Sequence, residues 1–193
     1  HVYGDSTAGQ PARFGLQHFG AAVYLRLVHH RSDLVRGWAA YVLSAATDFS
    51  VGERLRIIRS LAGDHNAAVR DWAWLSMRPH VAADVPHTLA LLQPWTAESS
   101  PFLRRFASEI TRPRGVWCQP LRELEREPEI ALPLLEALRA DPHRYVQNSV
   151  AHWLGDAART QRSWVESLCA RWKKESPGEA TQWICRRSMR LAS

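Results

Sequence analysis

The sequence predicts an all-α protein built as a solenoid of stacked helix pairs, and three observations lead there. No stretch alternates apolar and polar residues with the period of two that strands need. Nearly every segment places its apolar residues at a spacing of 3.6. Five segments also align without gaps: LVRGWAAYVL from Leu34, AVRDWAWLSM from Ala68, FLRRFASEIT from Phe102, YVQNSVAHWL from Tyr145 and ATQWICRRSM from Ala180. Their starts lie 34, 34, 43 and 35 residues apart, a period typical of stacked helical repeats.

Taken in order, residues 1–11 (HVYGDSTAGQP) read as a tail, and residues 12–193 as one repeat domain. Residues 14–30 are apolar on most sides and predict a packed first helix. Asp33 caps a helix through Ala46, and Val51, Leu55, Ile58 and Leu61 form a stripe that ends near Gly63. Helices follow over 66–78, 86–97 and 101–112, with breaks at Pro79, Pro86 and Pro101. Residues 116–126 and 130–139 read as short helices interrupted at Pro128. Asp141-Pro142 opens a long helix to about Arg159, and 162–174 and 179–191 close the chain.

Three of the five aligned segments carry an acid five residues before their first apolar anchor: Asp64, Glu98 and Asp141. This acid-then-Val-Arg pattern resembles the HEAT repeat. The expected architecture is an α-solenoid of about five HEAT-like pairs, a right-handed superhelical stack with a concave basic face; a non-repetitive helical bundle is the alternative. Counting from the anchors Val35, Val69, Leu103, Val146 and Thr181, the third and fourth positions form the core face, so Trp38 and Trp72 are expected to be packing residues. The opposite face reads Arg105, Glu109, Arg112, Pro113 in the third unit, Asn148, His152, Gly155, Asp156 in the fourth, and Trp183, Arg187, Arg190 in the fifth. Equivalent helices of a solenoid lie about 8–10 Å apart, which makes Glu109 and His152 neighbours and puts Asp156 one turn along. Such a face is polar in any case, and Arg beside Glu is ordinary surface pairing.

Composition bears on the choice. The net charge is +6, with 25 Lys and Arg against 19 Asp and Glu, and the pI is about 9.8, which favours an anionic partner, nucleic acid before an acidic membrane surface. Acids inside a cationic strip weaken DNA binding unless they do chemistry. No apolar run reaches transmembrane length and no signal-peptide core is present. The three cysteines, Cys118, Cys169 and Cys185, have no metal-site spacing, so no metal is expected, and reduced thiols fit a cytoplasmic setting.

Two segments carry a family resemblance. FASEITRPRGVW resembles the Ser-Glu-x-Thr-Arg-Pro-Arg-x-x-Trp motif of AlkC-type DNA alkylation repair proteins, and YVQNSVAHWLGDAAR resembles their second signature, a helix after Asp-Pro. The closing TQWICRRSMR is similar to the family's final helix, so the resemblance covers roughly residues 50–192. It implies a HEAT-like glycosylase that releases N3- and N7-alkylated purines from double-stranded DNA without a cofactor. Such a protein is expected to be bacterial and monomeric, and to work on the nucleoid.

Carried over by position, Glu109 and Asp156 are the candidate catalytic carboxylates. Trp117, His152, Trp153 and Asn148 are candidate lesion or sugar contacts, and Arg105, Arg112, Arg114, Arg187 and Arg190 candidate phosphate ligands. For Trp153 the seventh repeat position, beside Val42 and Ile110, equally reads as core packing, and His152 reads as a group that orients water, contacts phosphate or simply fills the place of the motif's Asn. His152 and Gly155 depart from the motif, which has Asn at both places, and Val116 stands where Pro is common. No Lys lies in the strip, so a Schiff-base lyase step is not expected. A non-catalytic DNA-binding module and a protein-binding scaffold are the other readings.

Overall fold

The computed structural model describes residues 21–192. The expected tail 1–11 and the first part of the helix expected over 14–30 lie outside the described residues. Eleven α-helices and two 3-10 turns make up the described chain, without strands. The helices are α1 (Ala21–Val28), α2 (Asp33–Ala45), α3 (Val51–Ala62), α4 (Ala67–Ala83), α5 (Val85–Leu92), α6 (Pro101–Ile110), α7 (Arg122–Arg126), α8 (Leu132–Leu138), α9 (Arg144–Ala158), α10 (Arg162–Glu175) and α11 (Glu179–Leu191).

Local chemistry sets several boundaries. Ser50 and Glu53 form a reciprocal capping box at the start of α3. Asn66 and Asp84 cap α4 and α5 through their side-chain oxygens, and the His143 ring accepts from the Tyr145 N–H at the start of α9.

The fold is the solenoid the repeats predict. The five aligned segments lie on α2, α4, α6, α9 and α11, which pack one against the next as a single layer. The alternate helices cover this layer's other side, and the buried side chains from α1 to α11 form one continuous core.

The acid-Val-Arg pattern now has a physical account. Arg36 donates to the carbonyls of His30 and Arg31 behind it and pairs with Asp64 of the next unit at 2.7 Å. Arg104 does the same with Glu98 and Ser99 behind and Asp141 ahead at 2.6 Å. Each of these aspartates also accepts from the N–H two residues on, at Asn66 and His143, shaping its own turn. Arg70 binds the carbonyls of Asp64 and His65, and forward it meets the rings of Phe102 and Tyr145, because Glu98 pairs with Arg59 instead. Gln147 keeps only the backward bond, to the Asp141 carbonyl.

Some elements differ from expectation. Helix α4 runs through Pro79 to Ala83 instead of stopping there, and Pro79 sits on its exposed side. The helix expected over 86–97 is α5 followed by a 3-10 turn, Gln93–Ala97, opened by Pro94. The segment expected as helix 130–139 begins as a 3-10 turn, Pro128–Ala131.

The helix expected over 116–126 reduces to α7, because residues 111–121 contain Pro113, Gly115 and Pro120 and form a loop. That loop accounts for the long 43-residue repeat spacing. Trp38 is also corrected: it is 54% exposed rather than core. A Cβ at Gly37 would lie 1.5 Å from the Trp72 ring, so the indole of Trp72 occupies that space. This seat turns Gly37, Ala39 and Ala40 inward and leaves Trp38 outside.

Candidate functional site

Helices α6 and α9 lie side by side, and their facing residues meet around one guanidinium. Arg112, just past the end of α6, donates through Nη1 to Glu109 Oε1 at 2.7 Å and through Nε to Asp156 Oδ2 at 2.8 Å. The other Glu109 oxygen accepts from the Ser149 hydroxyl at 2.6 Å, and Ser149 accepts from Ser108 at 2.7 Å. Arg105 lies 3.6 Å from Glu109 and pairs with Asp71 of α4 at 2.9 Å, its guanidinium over the Tyr145 ring. Two carboxylates thus share Arg112, while Arg105 is divided between Glu109 and Asp71. With these groups ionised the cluster keeps one net negative charge.

Burial and charge act in opposite directions here. Glu109 is 4% exposed and Asp156 8%. Burial pushes the Glu109 pKa up, but Arg105, Arg112 and Ser149 more than offset this and hold it below the usual carboxylate range. Burial also pushes Asp156 up, and Arg112 offsets only part of it, so Asp156 stays above its ordinary value. Burial lowers His152, as does Arg112, against the opposing pull of Glu109. Asn148 and His152 are half-buried on the same stripe of α9, and Arg187 and Arg190 are exposed on α11 with no ion pair among the described residues.

The loop after α6 is tied to this cluster. Leu121 N–H donates to Pro113 O at 2.9 Å and closes its neck. Buried Arg78 of α4 donates to the carbonyls of Ile110, Arg112 and Gln119. Arg114 pairs with Glu125 at 2.5 Å. At the tip, Trp117 is 79% exposed and has φ 64°, a left-handed conformation uncommon for a bulky residue. Its indole borders a cleft of about 710 Å³ with Leu75, Pro79 and Ala82 of α4.

Two candidate roles are corrected. Trp153 is wholly buried, its ring N–H donating to Thr111 at 3.3 Å and its face tilted on Trp164, so it is a core residue with no surface for a lesion or sugar. Arg112 is buried and bonded to both acids, through Nη1 and Nε, so it is an internal clamp rather than a free phosphate ligand. Sequence reasoning missed Ser149, Asp71 and Arg78. Ser149 falls at a core position of the repeat, and nothing in its spacing marks it as a carboxylate donor. Among the described residues no group of His, Cys, Asp and Glu is placed to hold a metal, and no helix is long and apolar enough to cross a membrane.

The model of the DNA alkylation repair enzyme family matches residues 24–187. The chain belongs to that family. YhaZ, an uncharacterised protein of Bacillus subtilis strain 168, is 32% identical over 115 residues, 60% of this chain and 32% of that protein.

Among solved structures, the alkylpurine DNA glycosylase AlkC of Pseudomonas fluorescens, bound to DNA containing an abasic site analog, matches with a TM-score of 0.62 at 24% identity. That match covers 91% of this chain and 58% of the AlkC chain, and at this identity it speaks for the shared fold. The chain therefore spans less than two thirds of each of these relatives. Both family motifs quoted above fall inside the matched region, Glu109 and Arg112 in the first and Asp156 in the second.

Proposed function

We propose that the protein is a monofunctional DNA glycosylase that hydrolyses the N-glycosidic bond of cationic N3- or N7-alkylated purines in double-stranded DNA. The observation that carries this reading is the pair of carboxylates from adjacent units, Glu109 and Asp156, clamped by one shared guanidinium. An alkylated purine already bears positive charge and leaves without a strong general acid. What it requires is a fixed negative field for the oxocarbenium-like sugar that develops as the bond breaks. Two carboxylates on one Arg112 supply that field with no reorganisation, because their positions are set by buried hydrogen bonds.

The neighbouring groups take roles that follow from their exposure. Arg187 and Arg190 are exposed and open to backbone phosphates, while Arg105 and Arg114 reach the surface only in part, each with an acid partner of its own. Trp117 offers an open aromatic face to the lesion or its deoxyribose, and Asn148 a polar contact on α9.

Incubation with methylated duplex DNA and measurement of released base tests this. We expect N3-methyladenine or N7-methylguanine to be released by the wild type, and release to fall at least about 100-fold in Glu109→Gln/Asp156→Asn. Unchanged release by the double variant would remove the assignment.

One observation favours a second reading, DNA binding without excision: both Glu109 oxygens are already taken, by Arg112 and Ser149. That reading gives salt-dependent binding and no free base from any alkylated duplex.

A further inference from the structure

The two acids of the cluster are held by other side chains, and the titratable group beside them that is not held is His152. Its ring has no hydrogen-bond partner among the described residues, although it is half-buried. It stands one turn before Asp156 on α9 and three residues after Ser149, whose hydroxyl reaches across to Glu109. The charged groups around it come from three places: Glu109 and Arg112 from α6 and its end, Arg187 from α11, and Asp156 from its own helix. The ring nitrogens are not sealed from solvent, so a water can sit on them beside the two acids.

We propose that His152 is the general base that accepts the proton of the attacking water. This rests on the glycosylase reading above and adds to it a catalytic group at a position where the family motif has Asn. The water oxygen forms the new bond to C1′ of the sugar as the C1′–N bond breaks. The bonding pair moves onto the cationic purine ring, which departs neutral. The water proton passes to the unprotonated imidazole nitrogen, and the imidazolium returns it to solvent after product leaves. Neither oxidant nor reductant takes part.

The alternatives are poorer bases or are otherwise occupied. Glu109 spends one oxygen on Arg112 and the other on Ser149, and its proton affinity is held low. Asp156 gives Oδ2 to Arg112, and a carboxylate is by nature a weaker base than an imidazole. The imidazole is kept neutral at neutral pH by burial and by Arg112. Glu109 and Asp156 favour the protonated ring, against burial, Arg112 and Arg187.

The sign of the pH effect follows. Because the His152 pKa is lowered, the base is active down to a pH below the ordinary imidazole value and is lost as pH falls through that lowered value. The test is the single-turnover rate of base release from methylated duplex, measured from about pH 5 to 9, for the wild type, His152→Asn and His152→Gln. Affinity for a duplex with an abasic-site analog and thermal melting are measured alongside.

We expect both variants to melt like the wild type and to bind the abasic duplex within about threefold. Base release should slow about 100-fold and lose the acid limb of its profile. Added imidazole should restore part of the rate in His152→Ala. Wild-type rate and acid limb retained in His152→Asn overturn the proposal and leave the glycosylase reading standing. Loss of rate that tracks loss of binding, with the acid limb intact, also overturns it. A wild type that binds the duplex but releases no base removes the glycosylase reading, and this proposal with it.

Discussion

At the scale of single residues, Arg112 holds the site together. Among the described residues it is the one cation in hydrogen-bond contact with both acids, and it is buried with them. Removing a partner from a buried pair leaves charge without compensation, which costs about 3–5 kcal/mol. We therefore expect Arg112→Ala to lose stability on that scale in urea unfolding. Arg112→Lys should recover only part of it, because one ammonium cannot reproduce two directed guanidinium bonds.

The repeat frame made the closeness of Glu109 to the fourth unit legible in the sequence, since equivalent positions of neighbouring helices must lie side by side. It did not make the sharing of Arg112 legible. An arginine in a cationic strip looks the same in sequence whether it faces phosphate or an internal acid. Burial decides between the two, and burial depends on how far α6 and α9 close. Trp153 was legible in part: its seventh repeat position, level with Val42 and Ile110, marks core packing, but only the packing itself shows its ring N–H meeting Thr111.

At the scale of helices, glycine sets the distances. A Cβ at Gly155 would stand 2.8 Å from Leu191 Cβ and 3.4 Å from the Ser188 carbonyl, so the bare backbone of α9 lets α11 seat directly against it. This gives a physical reason for the departure from the family's Asn at that position. Gly155→Ala should therefore destabilise by about 1–3 kcal/mol through overpacking, read as a lower urea midpoint with an unchanged slope. Gly52→Ala is the matching control. Its Cβ would meet nothing nearer than a Leu91 methyl at 3.6 Å, and the change should be neutral or slightly stabilising.

Helices with a clear 3.6 spacing and a polar start, such as α3, α9 and α11, were legible almost to their ends. Prolines misled in both directions. Pro79 is absorbed by a helix whose packed side holds it together, whereas Pro113 and Pro120 bracket a loop that hydropathy alone read as helix. The loop's left-handed Trp117 has no signature in the sequence, because its backbone is set by the pinned neck between Pro113 and Leu121.

At the scale of the whole molecule, charge and repetition act together. The net charge of +6 is spread over a chain in which many arginines are committed to internal partners. The cations left for DNA are therefore fewer than composition suggests. Arg187→Ala and Arg190→Ala should each weaken duplex binding across sequences and reduce the salt slope by about one, with little change in melting temperature. Fluorescence anisotropy titrations at several salt concentrations would measure this. Arg36→Ala should leave the salt slope unchanged, since that guanidinium belongs to Asp64.

The links from Arg36 to Asp64 and from Arg104 to Asp141 each reach one unit along and no further. Disturbance entering at the first helix is thus handed on joint by joint and weakens at every step. A substitution that opens the joint at Arg36 therefore leaves the joint at Arg104, and the Glu109–Arg112–Asp156 cluster beyond it, with every bond still made.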